Sequence, residues 1–298
     1  APSPEQGNTR PARPLDSSPM DRELAELSGA EPLATLSGYA LRRLLGAGGM
    51  GTVWLADRAD RPGRVALKIL TGYAARHPAF LTAFRAEVRA YAGLAHPNIV
   101  GIVDRGIVTE DEAAGSTPDL AAGSPFVVME YLSGGSLKPF CGQLPWREVR
   151  AILLSLLDGL AHAHARGLVH CDLKPENVLL DHTRTTVKLT DFGLVHAVDR
   201  ATPGERDKGV AGTPHYMAPE QTDGRWRDYG PWTDMYGLGG LAWALLSGRP
   251  PFSGLRTPFA ILRAHREVAP PPFVSAVAVP PGVDRWLERL LGKRPSER

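Results

Sequence analysis

The octet His170-Cys171-Asp172-Leu173-Lys174-Pro175-Glu176-Asn177 gathers an imidazole, carboxylates, an ammonium and a carboxamide, and a further acid follows in Asp191-Phe192-Gly193. One acid that accepts a proton, with an amide and a second acid that hold a divalent cation, is the set that phosphoryl transfer needs. The competing reading is a solvated loop ending in a helix cap. Against it, Pro175 fixes the turn between Asp172 and Asn177, and apolar residues on both sides draw the octet toward a core.

The elements that must position this octet are read from pattern. Pro78 to Leu94 repeats Phe80, Phe84, Val88 and Tyr91 at helical spacing, which predicts one inward stripe. Before it, Tyr39 to Leu45 and Thr52 to Ala56 flank Gly46-Ala47-Gly48-Gly49-Met50-Gly51. In dinucleotide folds such glycines lead into a helix; here β-branched and apolar residues follow, so the turn reads as a hairpin. A glycine hairpin lays bare N–H groups over phosphates, or is simply a tight turn. A third strand, Val65 to Leu70, carries Lys68 among apolar neighbours. Glu87 lies beside the helical stripe, and a charge so near a core face is costly unless paired, so Lys68 with Glu87 is the expected ion pair.

Strands are expected at Gly101 to Val108 and Phe126 to Tyr131, with a mobile, pattern-free insertion over 109–125 between them. Trp146 to Ala165 reads as a long buried helix that delivers the chain to the octet. Val178 to Leu180 and Val187 to Leu189 form a short hairpin. The most apolar helix, Met235 to Leu246, follows Thr233-Asp234, where Asp234 reads as a cap. Two more helices are expected at about Thr257 to Glu267 and Asp284 to Leu291. Residues 1 to 36 are proline-rich and polar, a flexible tail with at most a short helix at Asp21 to Leu27.

Composition bounds the rest. The 298 residues suggest two domains or lobes at about 150 residues each. With 34 basic against 32 acidic residues the net charge is +2, which gives no field for nucleic acid or an anionic membrane. Cys141 and Cys171 have no metal-ligand spacing, and two cysteines fit a reducing, cytoplasmic setting rather than a disulfide framework. No apolar run of the length of a membrane span occurs.

In this order and at these spacings the motifs resemble those of a Hanks-type, eukaryotic-like bacterial serine/threonine protein kinase, over roughly Tyr39 to Arg298. The resemblance rests on six motifs, from the glycine loop to the C-terminal Arg. Lys174 in Asp172-Leu173-Lys174-Pro175-Glu176-Asn177 is usual in the serine/threonine class. Gly212-Thr213-Pro214 through Ala218-Pro219-Glu220-Gln221 and His265 to Pro272 look most like the bacterial members. The resemblance implies an α+β, bilobal fold. A small β-rich lobe with one main helix spans 37–132, and a larger, mostly helical lobe spans 133–298 and ends before the last helix of the fold.

It implies ATP and Mg²⁺, with Mn²⁺ as an alternative, and a protein substrate with Ser or Thr. Gly46, Gly48, Gly49 and Gly51 would cover the phosphates. Leu45, Val53 and Ala66 would line the adenine cleft with Leu179 as its floor. Met129 would be the gatekeeper, and Glu130, Tyr131 and Leu132 the hinge. Lys68, positioned by Glu87, would hold the α- and β-phosphates. Asp172 would accept the hydroxyl proton, Lys174 would neutralise the γ-phosphoryl group, and Asn177 and Asp191 would ligate the metal. His170, Phe192 and Tyr91 resemble a regulatory stack, Asp234 an anchor of the catalytic-loop backbone, and Glu220 a partner of Arg298.

One residue departs from the pattern. Cys171 stands where most such kinases have an Arg that meets a phosphorylated activation segment, and a thiol makes no bidentate charged bond. Phosphorylation at Thr202 is therefore expected to be dispensable. Two alternatives share parts of the pattern: a pseudokinase interaction module, and a small-molecule phosphotransferase with a similar loop. Retention of Lys68, Asp172 and Asp191 argues against the first. Ala218-Pro219-Glu220 and the Thr213 loop argue against the second.

Overall fold

The computed structural model describes residues 31–48, 51–71, 78–114, 120–192, 214–222, 224 and 226–298. The tail helix at Asp21 to Leu27, Gly49, Met50, Thr202 and Thr213 lie outside the described residues. The small lobe is a six-stranded antiparallel sheet in the order β1-β2-β3-β4-β6-β5. Its strands are β1 (Ala34–Leu36), β2 (Tyr39–Gly48), β3 (Gly51–Arg58), β4 (Arg64–Leu70), β5 (Ile102–Ile107) and β6 (Pro125–Glu130). Helix α1 (Pro78–Ala92) crosses between β4 and β5.

Alternation along β4 sorts its side chains. Val65, Leu67 and Ile69 enter one apolar cluster with Phe126 and Val128 of β6. Ala66 and Leu70 enter another with Val127 and Met129 of β6 and Phe80, Phe84 and Val88 of α1. A strand covered on both faces is apolar almost throughout, and its period of two puts Lys68 on the α1 face beside Ala66.

Two elements depart from expectation. The chain is already ordered before Tyr39, because Ala34 and Leu36 are buried as β1 pairs with Leu41 and Tyr39. The insertion also holds structure: Glu110–Ala114 form helix α2. Glu112 Oε2 accepts from the N–H and hydroxyl of Thr109, and Glu112 Oε1 from the N–H and hydroxyl of Ser37. Leu120 closes over the outer sheet cluster.

The large lobe packs α3 (Trp146–His164), β7 (Val178–Leu180), β8 (Val187–Leu189), α4 (Pro219–Thr222), α5 (Pro231–Ser247), α6 (Pro258–Glu267) and α7 (Val283–Leu290). Helix α5 is buried nearly all round and ends in Gly248, whose φ of 85° makes a left-handed cap. It starts at Pro231, so Asp234 sits inside its first turn and not at the cap position the sequence suggested. That places the carboxylate beneath the octet.

Candidate active site

Asp234 is 1% exposed, and its two oxygens organise the start of the octet. Oδ2 accepts from the N–H of His170 at 2.9 Å and sits 2.7 Å from His164 Nε2, while Oδ1 accepts from the N–H of Cys171 at 2.8 Å. The expected backbone anchor is thus formed, with His164 as a partner the sequence did not suggest. Cys171 takes a φ of 64°, a left-handed conformation uncommon outside glycine. Past this bend the Asp172 side chain is only partly buried.

Past the bend, three functional groups meet. Lys174 Nζ lies 2.6 Å from Asp172 Oδ2, and Asn177 Nδ2 donates to Asp172 Oδ2 at 2.8 Å and to its backbone carbonyl at 2.9 Å. Asn177 is buried, and with Nδ2 so engaged its carboxamide oxygen takes up no donor among the described residues. The Asn177 carbonyl accepts from Thr190 N–H at 3.0 Å, so the residue before Asp191 is tied to the octet.

Asp191 has a φ of 65° and carries its carboxylate to Lys68, with Oδ1 2.7 Å from Nζ. Burial raises the Asp191 pKa, but the charge and hydrogen bond of Lys68 outweigh it and hold the carboxyl below the usual aspartate value. Here the expected ion pair is corrected, since Lys68 turns to Asp191 and not to Glu87. The acid that takes the ammonium is the one fixed just past the end of β8. Glu87, 9% exposed on α1, is engaged elsewhere.

The apolar residues assigned to the cleft come together. Ala66, Met129 and Leu132 belong to the α1-side cluster, and Leu45, Val53, Tyr131 and Leu179 pack against it while only partly buried. Half-buried apolar walls suit a flat ring. None of the described hydrogen bonds engages the backbone of Leu132, at the start of the crossing between lobes. Glu130 behaves differently: its carboxylate accepts from Gly101 N–H at 2.7 Å and from Lys188 Nζ at 2.7 and 2.8 Å. Its side chain ties the hinge to β8, a role the sequence did not signal.

A Cβ on Gly46 or Gly48 would meet nothing within 4 Å, so protein packing does not demand glycine there, and both residues are exposed. Gly51 is different, with a φ of 144° and a Cβ position 1.9 Å from the Ile69 carbonyl oxygen. Behind the site, Phe192 stacks between Tyr91, at 5.4 Å, and His170, at 4.5 Å between ring centroids. His170 is fully buried and its pKa is lowered chiefly by burial, which fits a packing ring and not a base. Glu220 meets Arg298 at 2.8 and 3.0 Å, as expected.

Two lobes joined at Glu130, with a lysine–aspartate pair bridging β4 and the end of β8, define a bilobal kinase. Residues 39–298 match the protein kinase domain family, and the chain belongs to it. It is 38% identical over 268 residues to the serine/threonine-protein kinase Pkn1 of Myxococcus xanthus, covering 87% of this chain and 36% of that protein. It is also 38% identical over 268 residues to the serine/threonine-protein kinase PknA of Mycobacterium tuberculosis, covering 89% of this chain and 59% of that one. The chain thus spans less than two thirds of the length of either relative. The PknI kinase domain of M. tuberculosis superposes with a TM-score of 0.63 at 29% identity, over 90% of this chain and 93% of that one. No described helix is long and apolar enough to cross a membrane.

Proposed function

We propose that the chain is a serine/threonine protein kinase domain that moves the γ-phosphoryl group of ATP to Ser and Thr hydroxyls of proteins, itself included. The observation that carries this reading is the shared contact of Lys174 and Asn177 on Asp172 Oδ2, beside Asp191. In the reaction Asp172 orients the incoming hydroxyl and accepts its proton, while Lys174 holds its charge against the oxygens in transfer. Lys68 binds the phosphates from the β4 side, under the bare glycine backbone. The cleft residues Leu45, Val53, Ala66 and Leu179 sandwich the base, and the Leu132 backbone offers its free hydrogen-bonding groups to the ring edge.

The donor set fits a hard cation. Asn177 and Asp191 supply oxygens, and no group of three His, Cys, Asp or Glu stands ready among the described residues to cage a metal without help. That suits Mg²⁺, with Mn²⁺ as a substitute, which shares its coordination with substrate phosphates. When bound, the ion would neutralise charge on the phosphates.

The test is transfer of labelled phosphate from Mg·ATP to a generic protein substrate. Asp172→Asn keeps the shape but loses the base, and the rate should fall by orders of magnitude. Equal incorporation by both proteins would sink the reading in favour of an interaction module. Cys171 further supports activity with little dependence on activation-segment phosphorylation, because a buried thiol gives a phosphate no charged partner. Thr202→Ala should leave the rate within about twofold of the unsubstituted chain, as for substitutions away from catalytic groups; a large fall would overturn this.

A further inference from the structure

The residue that bends the catalytic loop is held from two sides, and only one of them belongs to the roles assigned above. Cys171 is buried, is not glycine and stands at a φ of 64°. Such a residue faces a cost of roughly 1–2 kcal/mol. Its N–H is taken by Asp234. Its carbonyl accepts from Gln221 Nε2 at 2.7 Å. The same carboxamide turns its Oε1 to the N–H of Ala218, at 2.9 Å. Gln221 is 3% exposed and lies on α4, directly after Glu220. One side chain therefore ties the segment entering α4 to the peptide that precedes Asp172.

We infer that Gln221 is a positioning residue for phosphoryl transfer, holding Cys171 in its left-handed bend and fixing the Ala218 segment against the loop that carries Asp172. This rests on the kinase reading above. Glutamine suits the role because it alone offers an acceptor and a donor on a stem of this length. Asparagine is one methylene short, glutamate has no donor for the Cys171 carbonyl, and methionine fills the space with neither. Gln221 bonds to the peptide that precedes Asp172 and not to the Asp172 carboxylate. It acts through the angle at which Asp172 is presented.

The experiment measures protein phosphorylation, KM for ATP and thermal midpoint for the unsubstituted chain and for Gln221→Met, each with Cys171 and with Cys171→Gly. Glycine enters the left-handed region without the penalty, so it needs the support less. In the Cys171 background, Gln221→Met should lower kcat about tenfold, the population factor set by the cost of the left-handed bend. KM for ATP should stay within about twofold, since the nucleotide cleft is not touched. In the Cys171→Gly background the same substitution should cost about threefold or less, because glycine holds the bend nearly as readily without support.

Equal losses in both backgrounds, or a loss that follows only the thermal midpoint, would reduce Gln221 to a structural residue. Unchanged kcat in Gln221→Met would overturn the inference outright. If Gln221→Met does not fold, Gln221→Glu, which keeps the Ala218 bond, provides the same comparison. Activity of the unsubstituted chain, measured alongside, tests the kinase reading separately.

Discussion

Arg298 is the last residue of the chain, and its side chain is fully buried. Its guanidinium donates to both oxygens of Glu220 at 2.8 and 3.0 Å, and to the carbonyls of Trp232, Lys293 and Gly292 at 3.0, 3.1 and 2.9 Å. Glu220, 4% exposed, has the Thr233 hydroxyl as its remaining donor among the described residues. Arg298→Ala would therefore leave a buried carboxylate almost alone, along with three carbonyls short of a donor. Breaking a buried pair from one side costs about 3–5 kcal/mol. In a chain of this size each kcal/mol moves the thermal midpoint by about 2–4 °C, so the fall should be roughly 6–20 °C. The assay is thermal unfolding followed by tryptophan fluorescence, since Trp232, Trp243 and Trp286 all report on the helical lobe. The double variant Glu220→Gln with Arg298→Met should lose less than Arg298→Ala, because it leaves no lone charge in the core. A midpoint within about 2 °C of the unsubstituted chain would refute this account of the lobe, since it implies under 1 kcal/mol for the whole network.

Two further outcomes follow from the cleft. Gly48→Ala meets open space, so its midpoint should move by no more than a surface change does, about 0.5 kcal/mol, while KM for ATP rises several-fold. Gly51→Ala drives a Cβ onto the Ile69 carbonyl oxygen at a φ of 144°, and should destabilise by roughly 1–3 kcal/mol or more. If the two variants unfold alike, the assignment of Gly48 to an open phosphate cradle fails. Lys68 holds the Asp191 pKa below its unfolded value, so the folded state binds that proton less tightly. Its stabilisation is present above an unfolded pKa of about 3.9 and is lost as pH falls through the lower folded value. The midpoint gap between the unsubstituted chain and Asp191→Asn should narrow in that acid window; a gap that does not change with pH would count against the ion pair.

Much of the site was legible because its motifs are local. Asp172, Lys174 and Asn177 lie within one turn of chain, and their mutual contacts follow from Pro175 and from the bend at Cys171. The family resemblance assigned Ala66 and Met129 to one cleft, and the alternation along β4 and β6 brings both into the α1-side cluster. What failed was pairing across elements. The sequence offered Glu87 to Lys68, and the acid that pairs with it in the fold, Asp191, lies 123 residues away just past the end of β8. Helix α2 had a signal that went unread, for Thr109 and Glu112 stand three apart as a capping box, with Glu112 N–H donating back to the Thr109 hydroxyl at 3.2 Å. β1 is three residues long, too short for any period to register. Gln221 carried no chemical signature of its own, since its bond to the Cys171 carbonyl spans 50 residues of chain.

The strand order of the small lobe has a consequence for synthesis. β4 pairs with β3 on one side and with β6 on the other, yet about 55 residues separate the end of β4 from the start of β6. At about 5–20 residues per second, the ribosome takes several seconds to make them. During that interval β4 presents an open edge whose Leu67 and Ile69 are fully buried in the finished protein. An unpaired apolar edge is a template for aggregation. The nascent lobe is therefore most exposed to misassembly between the emergence of Leu70 and that of Glu130, a window that a ribosome-bound chaperone would have to cover.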